Sequence, residues 1–311
     1  MKLLCKLLFP PVLAALILLQ ICAFGAFAAD AGDADKLYGF AEKLFGDGEY
    51  FRAISEYKRF IFYYPGDTRL EKASLRIAES YYRAKRWADA VDSVKEFLAK
   101  FPESPLTQEA LFIKGMSEYN LKRFDESLST FGNLMSKGSG EYRDRAIYQT
   151  AIIYVDREEW DRAKGAFRNI PEGSLLFPFA SRFAAGLEKI DILPYKSPAV
   201  AGTLAAVLPG SGHLYAERPR DALVAFILNA AFIAAAVELF DHGEYAAGGI
   251  VTFFEAGWYS GNIYSAVSSA YKFNKRVKEE FIRNLKDESP PTPPVGRISL
   301  KGNQVMYSFR F

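Results

Sequence analysis

The stretch Tyr63–Tyr82 reads YYPGDTRLEKASLRIAESYY. Its aromatic–proline pair ends one helix, and the apolar residues that follow at three- and four-residue spacing predict an amphipathic helix. The pattern belongs to a repeat of 36 to 37 residues that extends from Leu37 to about Ile170. A repeat of this length, made of two helices, predicts an all-α solenoid.

Several positions recur in phase across four repeats. Aromatic anchors are spaced 37, 37 and 36 residues apart, and small residues lie three residues after each anchor and nine before it. The small residues predict close helix crossings, and the anchor aromatic is expected to fill the turn between the two helices of a unit. The anchors are Tyr50, Trp87, Phe124 and Trp160; the small residues are Ala41, Ala78, Gly115 and Ala151, then Ala53, Ala90, Ser127 and Ala163.

On these positions, residues 36–171 resemble the tetratricopeptide repeat (TPR) family. The period is longer than the usual 34 residues, and the tryptophan of the consensus first helix is missing. Units of this length resemble those of envelope TPR proteins, which include the outer-membrane lipoprotein of the β-barrel assembly machine and the Tol-Pal accessory protein. The resemblance implies a non-enzymatic scaffold that binds other proteins, without indicating which ones.

The resemblance also implies where a partner binds, because the first helices of TPR repeats line the concave face. Aromatic side chains on such a face suit an extended peptide or a helix. The alternative is that several of these residues pack between repeats. The predicted partner-binding residues are Tyr38, Phe45, Tyr82, Phe112, Tyr119 and Tyr148, with Glu42, Glu79 and Asn120 between them.

The first 29 residues have the order of a cleaved secretory signal peptide. Lys2 and Lys6 precede an apolar core from Leu7 to Ile21, and Ala26-Phe27-Ala28 supplies a cleavage site. An uncleaved anchor is the alternative, and a lipoprotein signal is disfavoured because bulky Ile21 precedes Cys22. Export predicts that the repeats lie in the periplasm of a bacterial cell envelope.

Removing the signal also removes Cys5 and Cys22, which are the two cysteines of the chain. The remaining part then has no disulfide and no thiolate metal site. The 39 basic residues include Lys2 and Lys6, so 37 remain against 37 acidic residues. This balance argues against bulk nucleic-acid binding.

Helix-breaking residues divide the rest of the chain. Residues 174–190 predict one more amphipathic helix, which would cap a solenoid spanning 30–190. Residues 191–198 predict a linker, residues 199–285 a helical membrane domain, and residues 286–311 a proline-rich linker with a β-type tail.

The glycine-rich turn PGSGH, residues 209–213, is tested against phosphate-binding loops. No lysine follows Gly212, and the position of the third glycine of a dinucleotide loop holds Tyr215. The sequence therefore predicts neither a nucleotide nor any other cofactor. Pro209, Gly210, Gly212 and Tyr215 instead resemble the PG-x-G-x-x-Y turn of small bacterial membrane domains, which supports a membrane assignment and nothing more.

Two apolar segments, Ala222–Val237 and Tyr245–Ala270, are candidates to cross a bilayer. A soluble domain with buried alanine-rich helices is the alternative. Basic residues flank the pair on both ends, and the positive-inside rule would place them in the cytoplasm. An exported repeat domain then needs a third crossing, for which Ser197–Tyr215 is the candidate. The inner membrane is favoured and the outer membrane stays possible. A re-entrant Ser197–Tyr215 would leave the basic ends on the repeat side.

Polar residues inside the apolar segments form a second candidate site. Asn229 and Glu255 each lie 13 residues from His242, so an antiparallel hairpin would bring them to one depth and allow a hydrogen bond. Two interpretations of these polar residues stay open: they form a functional polar site, or they only hold the helices together. No catalytic residue and no metal ligand is predicted. The cluster is Pro209, Gly210, Gly212, His213, Asn229, Glu255 and Asn262.

The last residues, RISLKGNQVMYSFRF, predict a β-hairpin that turns at Gly302-Asn303. The terminal Phe311 resembles the C-terminal signal of outer-membrane barrels, which conflicts with a cytoplasmic C-terminus. Three functions are therefore open. They are an envelope scaffold anchored by transmembrane helices, an outer-membrane assembly or Tol-Pal-like factor, and an intramembrane enzyme or transporter.

Overall fold

The computed structural model describes residues 32–287, 297–301 and 304–308. The predicted signal peptide lies outside them. Backbone contacts divide the chain into two units. The repeat unit extends to Ser181 and also takes in residues 297–301 and 304–308, and the C-terminal unit is Arg182–Pro291. The helices are α1 (32–46), α2 (Tyr50–Tyr63), α3 (Leu70–Arg83), α4 (Trp87–Lys100), α5 (Thr107–Asn120), α6 (Phe124–Lys137), α7 (Gly140–Asp156), α8 (Trp160–Arg168), α9 (Phe177–Leu187), α10 (Pro198–Val207), α11 (Ser211–Tyr215), α12 (Pro219–Asp241) and α13 (Tyr245–Asp287).

The repeat unit consists of helix pairs that follow the sequence repeat, which confirms the predicted solenoid of helices. Each aromatic anchor is the first residue of a second helix, α2, α4, α6 or α8. The small residues of both sets are buried without exception. At the α5–α6 crossing, the Ser127 hydroxyl donates a hydrogen bond to the Gly115 carbonyl at 2.8 Å.

The turn between the two helices of each repeat has one conformation throughout. A residue with φ between 58° and 80° follows the first helix, at Gly48, Lys85, Lys122 and Glu158. The next amide donates to the carbonyl five residues back, as Arg86 does to Tyr81 at 2.9 Å. This is a Schellman motif, which satisfies carbonyl groups that the helix end leaves open. Three repeats use a non-glycine residue in the left-handed region, at a cost of about 1–2 kcal/mol each.

The second helices of the first two repeats, α2 and α4, end where proline stops them. The amide of Tyr64 donates to Phe60 and the amide of Phe101 donates to Phe97, after which Pro65 and Pro102 have no N–H to continue the helix. Between turn and proline, α2 buries Ala53, Ile54, Tyr57 and Phe60 on one face. Full burial of a side chain such as Phe60 contributes about 1.5–3 kcal/mol, so the cores between helices hold the repeats together.

Helix α9 occupies the stretch for which a capping helix is predicted. The boundary between the two units falls inside it, and near its end a Cβ on Gly186 would lie 2.5 Å from Leu285 in α13. The capping role of α9 therefore stays a prediction. A short 3₁₀ helix, Ile190–Ile192, and an irregular segment then lead to α10, where the linker is predicted.

In the C-terminal unit, α10 runs antiparallel to α13. The amide of Asn274 hydrogen-bonds the backbone of Lys196, a Cβ on Gly202 would meet Val267, and the Tyr259 hydroxyl donates to the Ala206 carbonyl. A glycine-rich turn then reverses the chain into α11.

The two ends of the segment Ser197–Tyr215 lie next to each other. The Ser197 amide donates to the Tyr215 hydroxyl at 3.0 Å, and Lys196 pairs with Glu217 at 3.3 Å. Ten residues of α10 span only about 15 Å, against a bilayer core of ~30 Å. The prediction that this segment supplies a third crossing is wrong, because its two ends meet.

Two antiparallel strands, β1 (Arg297–Lys301) and β2 (Gln304–Ser308), pair in the register Arg297–Ser308 to Lys301–Gln304. The predicted turn residues Gly302 and Asn303 and the terminal Phe311 lie outside the described residues. Apart from this pair, the regular elements in the described ranges are helical, as the predicted all-α fold class requires.

Candidate functional site

The first helices of the repeats form a common face of the repeat unit. Helix α3 contacts α5, and α5 contacts α7, in addition to the contacts of each with its own second helix. First helices that approach one another line the inner side of a solenoid. This is the face on which the partner-binding residues are predicted.

Four of the six predicted partner-binding aromatics are buried in the core. Tyr38 packs edge-on against Phe60 with ring centroids 5.2 Å apart, and Tyr148 packs against Phe167 at 5.3 Å. Phe112 is 1% exposed and Phe45 is 8% exposed. Tyr38 and Tyr148 thus pack within their own repeats rather than between repeats. A buried ring offers a partner little surface, and the binding role of these four residues stays a prediction.

The other two aromatics are half-buried and held in place. The Tyr82 ring lies 5.1 Å from that of Trp87. The Tyr119 hydroxyl donates to Asp156 of the next repeat at 2.5 Å. Burial, and then the hydrogen bond to Asp156, raises the pKa of the Tyr119 hydroxyl. Both side chains keep part of their surface on the face of the first helices.

Charged side chains, rather than aromatic ones, connect the first two repeats on this face. Arg76 donates two hydrogen bonds to the Glu42 carboxylate, at 3.0 and 3.2 Å, and one to Glu79 at 2.6 Å. Arg83 donates to the other Glu79 oxygen at 2.7 Å. Both guanidinium groups lie over the Phe45 ring, at 4.5 and 4.9 Å. The spacing of 37 residues between Glu42 and Glu79 is the signal in the sequence that marks this network.

The network sets the charge of its members. Burial by itself would raise the pKa of Glu42, but the Arg76 charge and the Tyr57 hydroxyl, which donates at 2.6 Å, outweigh burial and lower that pKa. Burial, and then the same hydrogen bond, raises the pKa of Tyr57. Glu42 and Arg76 are therefore both ionised at neutral pH, and they fix α1 against α3.

Further polar groups on α5 and α7 extend the charged network of Glu42, Arg76 and Glu79. Arg145, which is 2% exposed, stacks over the rings of Phe112 and Tyr142, at 4.8 and 5.5 Å. Burial and then the Glu79 charge raise the pKa of Glu109, which interacts with Tyr142. Glu109 and Tyr142 keep part of their surface exposed on this face, whereas Arg145 is buried beneath it.

In the C-terminal unit, PGSGH is a tightly packed turn. Gly210 has φ 90°, and a Cβ there would lie 2.3 Å from the Ala222 carbonyl oxygen. A Cβ on Gly212 would lie 2.1 Å from the Ala201 carbonyl oxygen. Pro209 precedes this turn at the end of α10. The glycines are thus required by contacts between α10, α11 and α12.

The remaining predicted polar residues are buried between these helices. His213 Nε2 lies 3.0 Å from the Ser265 hydroxyl, and Asn262 donates a long 3.4 Å hydrogen bond to the Ala205 carbonyl. Asn229, which is fully buried, donates to the Ala225 carbonyl of its own helix at 2.6 Å. Neither carboxylate oxygen of Glu255 has a hydrogen-bond partner in the described structure. The hydrogen bond predicted between Asn229 and Glu255 is therefore not formed.

One helix in the described residues, α12, is long and apolar enough to cross a membrane. Its 23 residues span about 34 Å, and only 17% of its most apolar stretch is buried inside the chain. Helix α13, which packs beside it, exposes Phe253, Phe254 and Trp258. Across residues 32–287, no group of three or more His, Cys, Asp or Glu side chains is placed to hold a metal ion.

Comparison with known proteins bears on the repeat unit. Residues 30–152 match the model of the family YfiO, described as an outer membrane lipoprotein. No curated protein matches the chain. A tetratricopeptide repeat protein from Parabacteroides merdae is similar in structure, with 15% identity and a TM-score of 0.42 over 81% of this chain and 98% of that one. The family match confirms the resemblance to envelope TPR proteins of the barrel-assembly lipoprotein type.

Proposed function

We propose that the repeat unit is a non-enzymatic scaffold of the cell envelope and binds a protein partner along the face of α1, α3, α5 and α7. The observation that carries this proposal is the match of residues 30–152 to a family of outer membrane lipoproteins, because it covers the first three helix pairs and most of α7. The α12–α13 hairpin anchors the chain in a membrane.

The chemistry of the face favours a segment that offers both backbone and charged groups. Tyr82, Tyr119, Tyr142 and Asn120 are half-exposed on it, beside the ionised network of Glu42 and Arg76. Side chains that are already fixed lose little conformational entropy when a partner binds. An extended peptide or a helix with polar side chains suits this face better than a purely apolar one.

The partner face is tested by photo-crosslinking in living cells with benzoylphenylalanine at single positions. Asn120 lies on the face of the first helices, and Phe62, which is 77% exposed on the second helix α2, is the matched control. We expect one protein adduct of defined mass from position 120 and none from position 62. Adducts from position 62 alone would show that the partner binds the other side.

The exposed apolar surface of α12 and α13 supports the membrane anchor. Leu223, Phe226 and Ile233 of α12 are 59%, 47% and 45% exposed, and Phe253 of α13 is 76% exposed. Contiguous apolar surface of this kind marks a membrane or a partner site. Helix α12 has the length to reach across the bilayer core, and α13 is longer still.

An anchor of two crossings places both ends of the hairpin on one side of the membrane, together with Lys196 and the chain that leads to the repeats. For an exported repeat unit this is the periplasmic side. The basic residues Arg218, Arg220 and Lys272 are then periplasmic, and the positive-inside rule no longer selects the inner membrane.

Separation of inner and outer membranes on a density gradient, followed by an alkaline wash, tests the anchor. We expect the chain to resist the wash. Recovery in the inner membrane would support a scaffold anchored there. Release by the wash would show that α12 and α13 pack in a soluble core, and would refute the anchor.

A second candidate function is an outer-membrane assembly or Tol-Pal-like factor, which the family match favours. It predicts that the wash-resistant chain is found in the outer membrane, and that its depletion lowers the amount of folded barrel proteins. Unchanged barrel levels after depletion would leave the general scaffold.

A further inference from the structure

A cleft of about 920 Å³ opens between α12 and α13 in the C-terminal unit. Its volume is near the upper end of the range for pockets that hold small molecules, about 300–1,000 Å³. Large apolar side chains form part of its wall: Val224 and Leu228 from α12, and Phe253, Phe254 and Trp258 from α13.

Helix α13 also contributes small residues to the wall, among them Gly257 and Gly261. A Cβ added to Gly257 or to Gly261 would meet no atom within 4 Å, whereas one on Gly212 would collide with backbone. The space beside Gly257 and Gly261 is therefore not filled by another part of the described chain.

Polar side chains lie at one end of the cleft. His213 is 3% exposed and Asn262 is 6% exposed, and both belong to its lining. His213 uses Nε2 for Ser265, but its Nδ1 has no hydrogen-bond partner in the described residues, and neither has Oδ1 of Asn262. Leaving such an atom buried and unpaired is unfavourable, so a ligand that pairs with it gains affinity.

The two atoms restrict the chemistry of the ligand. Oδ1 of Asn262 accepts only, while His213 Nδ1 donates or accepts according to the tautomer that Ser265 stabilises. A single hydroxyl group can donate to the first and accept from the second when Nδ1 of His213 carries the proton. In the other tautomer, a second hydroxyl group of the ligand is needed to donate to Nδ1. Asp221, also in the lining, is paired with Arg218 at 2.5 Å, so its charge is compensated. Among the described residues, the lining contains no lysine or arginine, so an anionic group would find no cationic partner there.

We propose that this cleft binds a neutral membrane lipid with a hydroxyl headgroup. Its apolar chain lies along Gly257 and Gly261, and its hydroxyl reaches His213 and Asn262. Both polar atoms are covered in the described structure, so the side chains of His213 and Asn262 both shift toward the cleft on binding, and Asn262 gives up its 3.4 Å bond to Ala205. The inference rests on the proposed membrane placement of the C-terminal unit.

The test uses the full chain reconstituted in bilayer vesicles with a monoacylglycerol that carries a diazirine in its acyl chain. After illumination, mass spectrometry locates the label. We expect labelled peptides from the cleft walls, competition by unlabelled monoacylglycerol and none by glycerol. Competition by glycerol, or label spread evenly over α12 and α13, would overturn the proposal.

Two variants and one control sharpen the result. Gly257→Ile adds a bulky side chain to the cleft wall, at a position where a Cβ would meet no atom within 4 Å. Gly249→Ile makes the same change on α13 at an equally open position outside the lining. We expect Gly257→Ile to abolish cleft labelling and Gly249→Ile to leave it unchanged. Asn262→Leu should weaken competition by monoacylglycerol about tenfold.

Equal labelling of both isoleucine variants would refute the lipid site. So would a dimer of the unmodified chain whose cleft takes no label, because a second copy would then occupy it. Failure of membrane placement is recognised separately, since the chain would be released by the alkaline wash before any labelling is done.

Discussion

Replacing Gly115 by alanine tests how closely α5 and α6 must approach. The other three repeats carry alanine at this position, so the sequence pattern alone would rate the change as harmless. In the third repeat, however, a Cβ at position 115 would lie 2.6 Å from Cε1 of Phe131 and 2.8 Å from its Cζ. The corresponding residues in the first two repeats are Tyr57 and Val94, on α2 and α4.

Two effects of opposite sign decide the outcome. Alanine in place of glycine inside a helix stabilises by about 0.8–1.0 kcal/mol. Against this, Phe131 is fully buried and packs with Phe112, Leu134 and Ile153, so its ring has little room to move. Overpacking of a well-packed core costs about 1–3 kcal/mol. We expect Gly115→Ala to lower the free energy of unfolding by about 0–2 kcal/mol.

Gly132→Ala is the matched control, because it makes the same change on α6 where a Cβ would meet no atom within 4 Å. It should stabilise by about 0.5–1 kcal/mol. Subtracting the two variants cancels helix propensity and leaves the packing cost, about 1–3 kcal/mol. Urea unfolding of the full chain in detergent measures both, in a Trp258→Phe background where Trp87 and Trp160 report on the repeats.

Equal changes for Gly115→Ala and Gly132→Ala would refute the reasoning, because they would show that the α5–α6 crossing has room for a methyl group. A large loss of stability for both variants would also contradict it, since the control position faces open space.

Three further changes follow from the same geometry. Lys85→Gly should stabilise the repeats by about 0.5–1 kcal/mol in urea unfolding, since glycine adopts the left-handed turn without strain; a loss of stability would contradict this. The folded-state pKa of Glu42 is lowered, chiefly by Arg76 and despite burial, so its contribution is present above the unfolded pKa and is lost as pH falls through the folded value. Glu42→Gln should therefore flatten the acid-side loss of hydrogen-exchange protection in α1 and α3, and an unchanged pH profile would rule that role out. Gly212→Ala should expose α10 and α11 to proteolysis because its Cβ meets backbone, whereas Gly261→Ala should not; equal resistance would refute the tight turn.

The helices of the repeat unit were predictable because each repeat carries the same local signals. The anchors and the small residues recur in phase in four copies, and the prolines recur in the first two, so the repeats support one assignment. The turn position at Lys85 and Lys122 was missed, since lysine gives no sign that its backbone is left-handed. Among the four turn positions, only Gly48 is a glycine, the residue type that indicates a left-handed backbone.

The direction of individual side chains was not predictable. Tyr38 and Phe112 lie on first helices, as expected, but their side chains point into the core. Arg76 covers the ring of Phe45, and Arg145 covers the ring of Phe112. A helix in a solenoid has neighbours on several sides. Its rotation, which depends on all of them, decides whether an aromatic faces a partner or the next helix.

The sequence by itself determined the period, the helix ends, the absence of a phosphate-binding pattern at PGSGH, and the apolar character of α12. These depend on residues close together in the chain. Only the tertiary structure decided that Ser197 and Tyr215 meet, that Asn229 and Glu255 form no hydrogen bond, and that Gly257 borders an open cleft. Each of these depends on contacts between helices whose positions are set by packing across the whole unit, which no local pattern encodes.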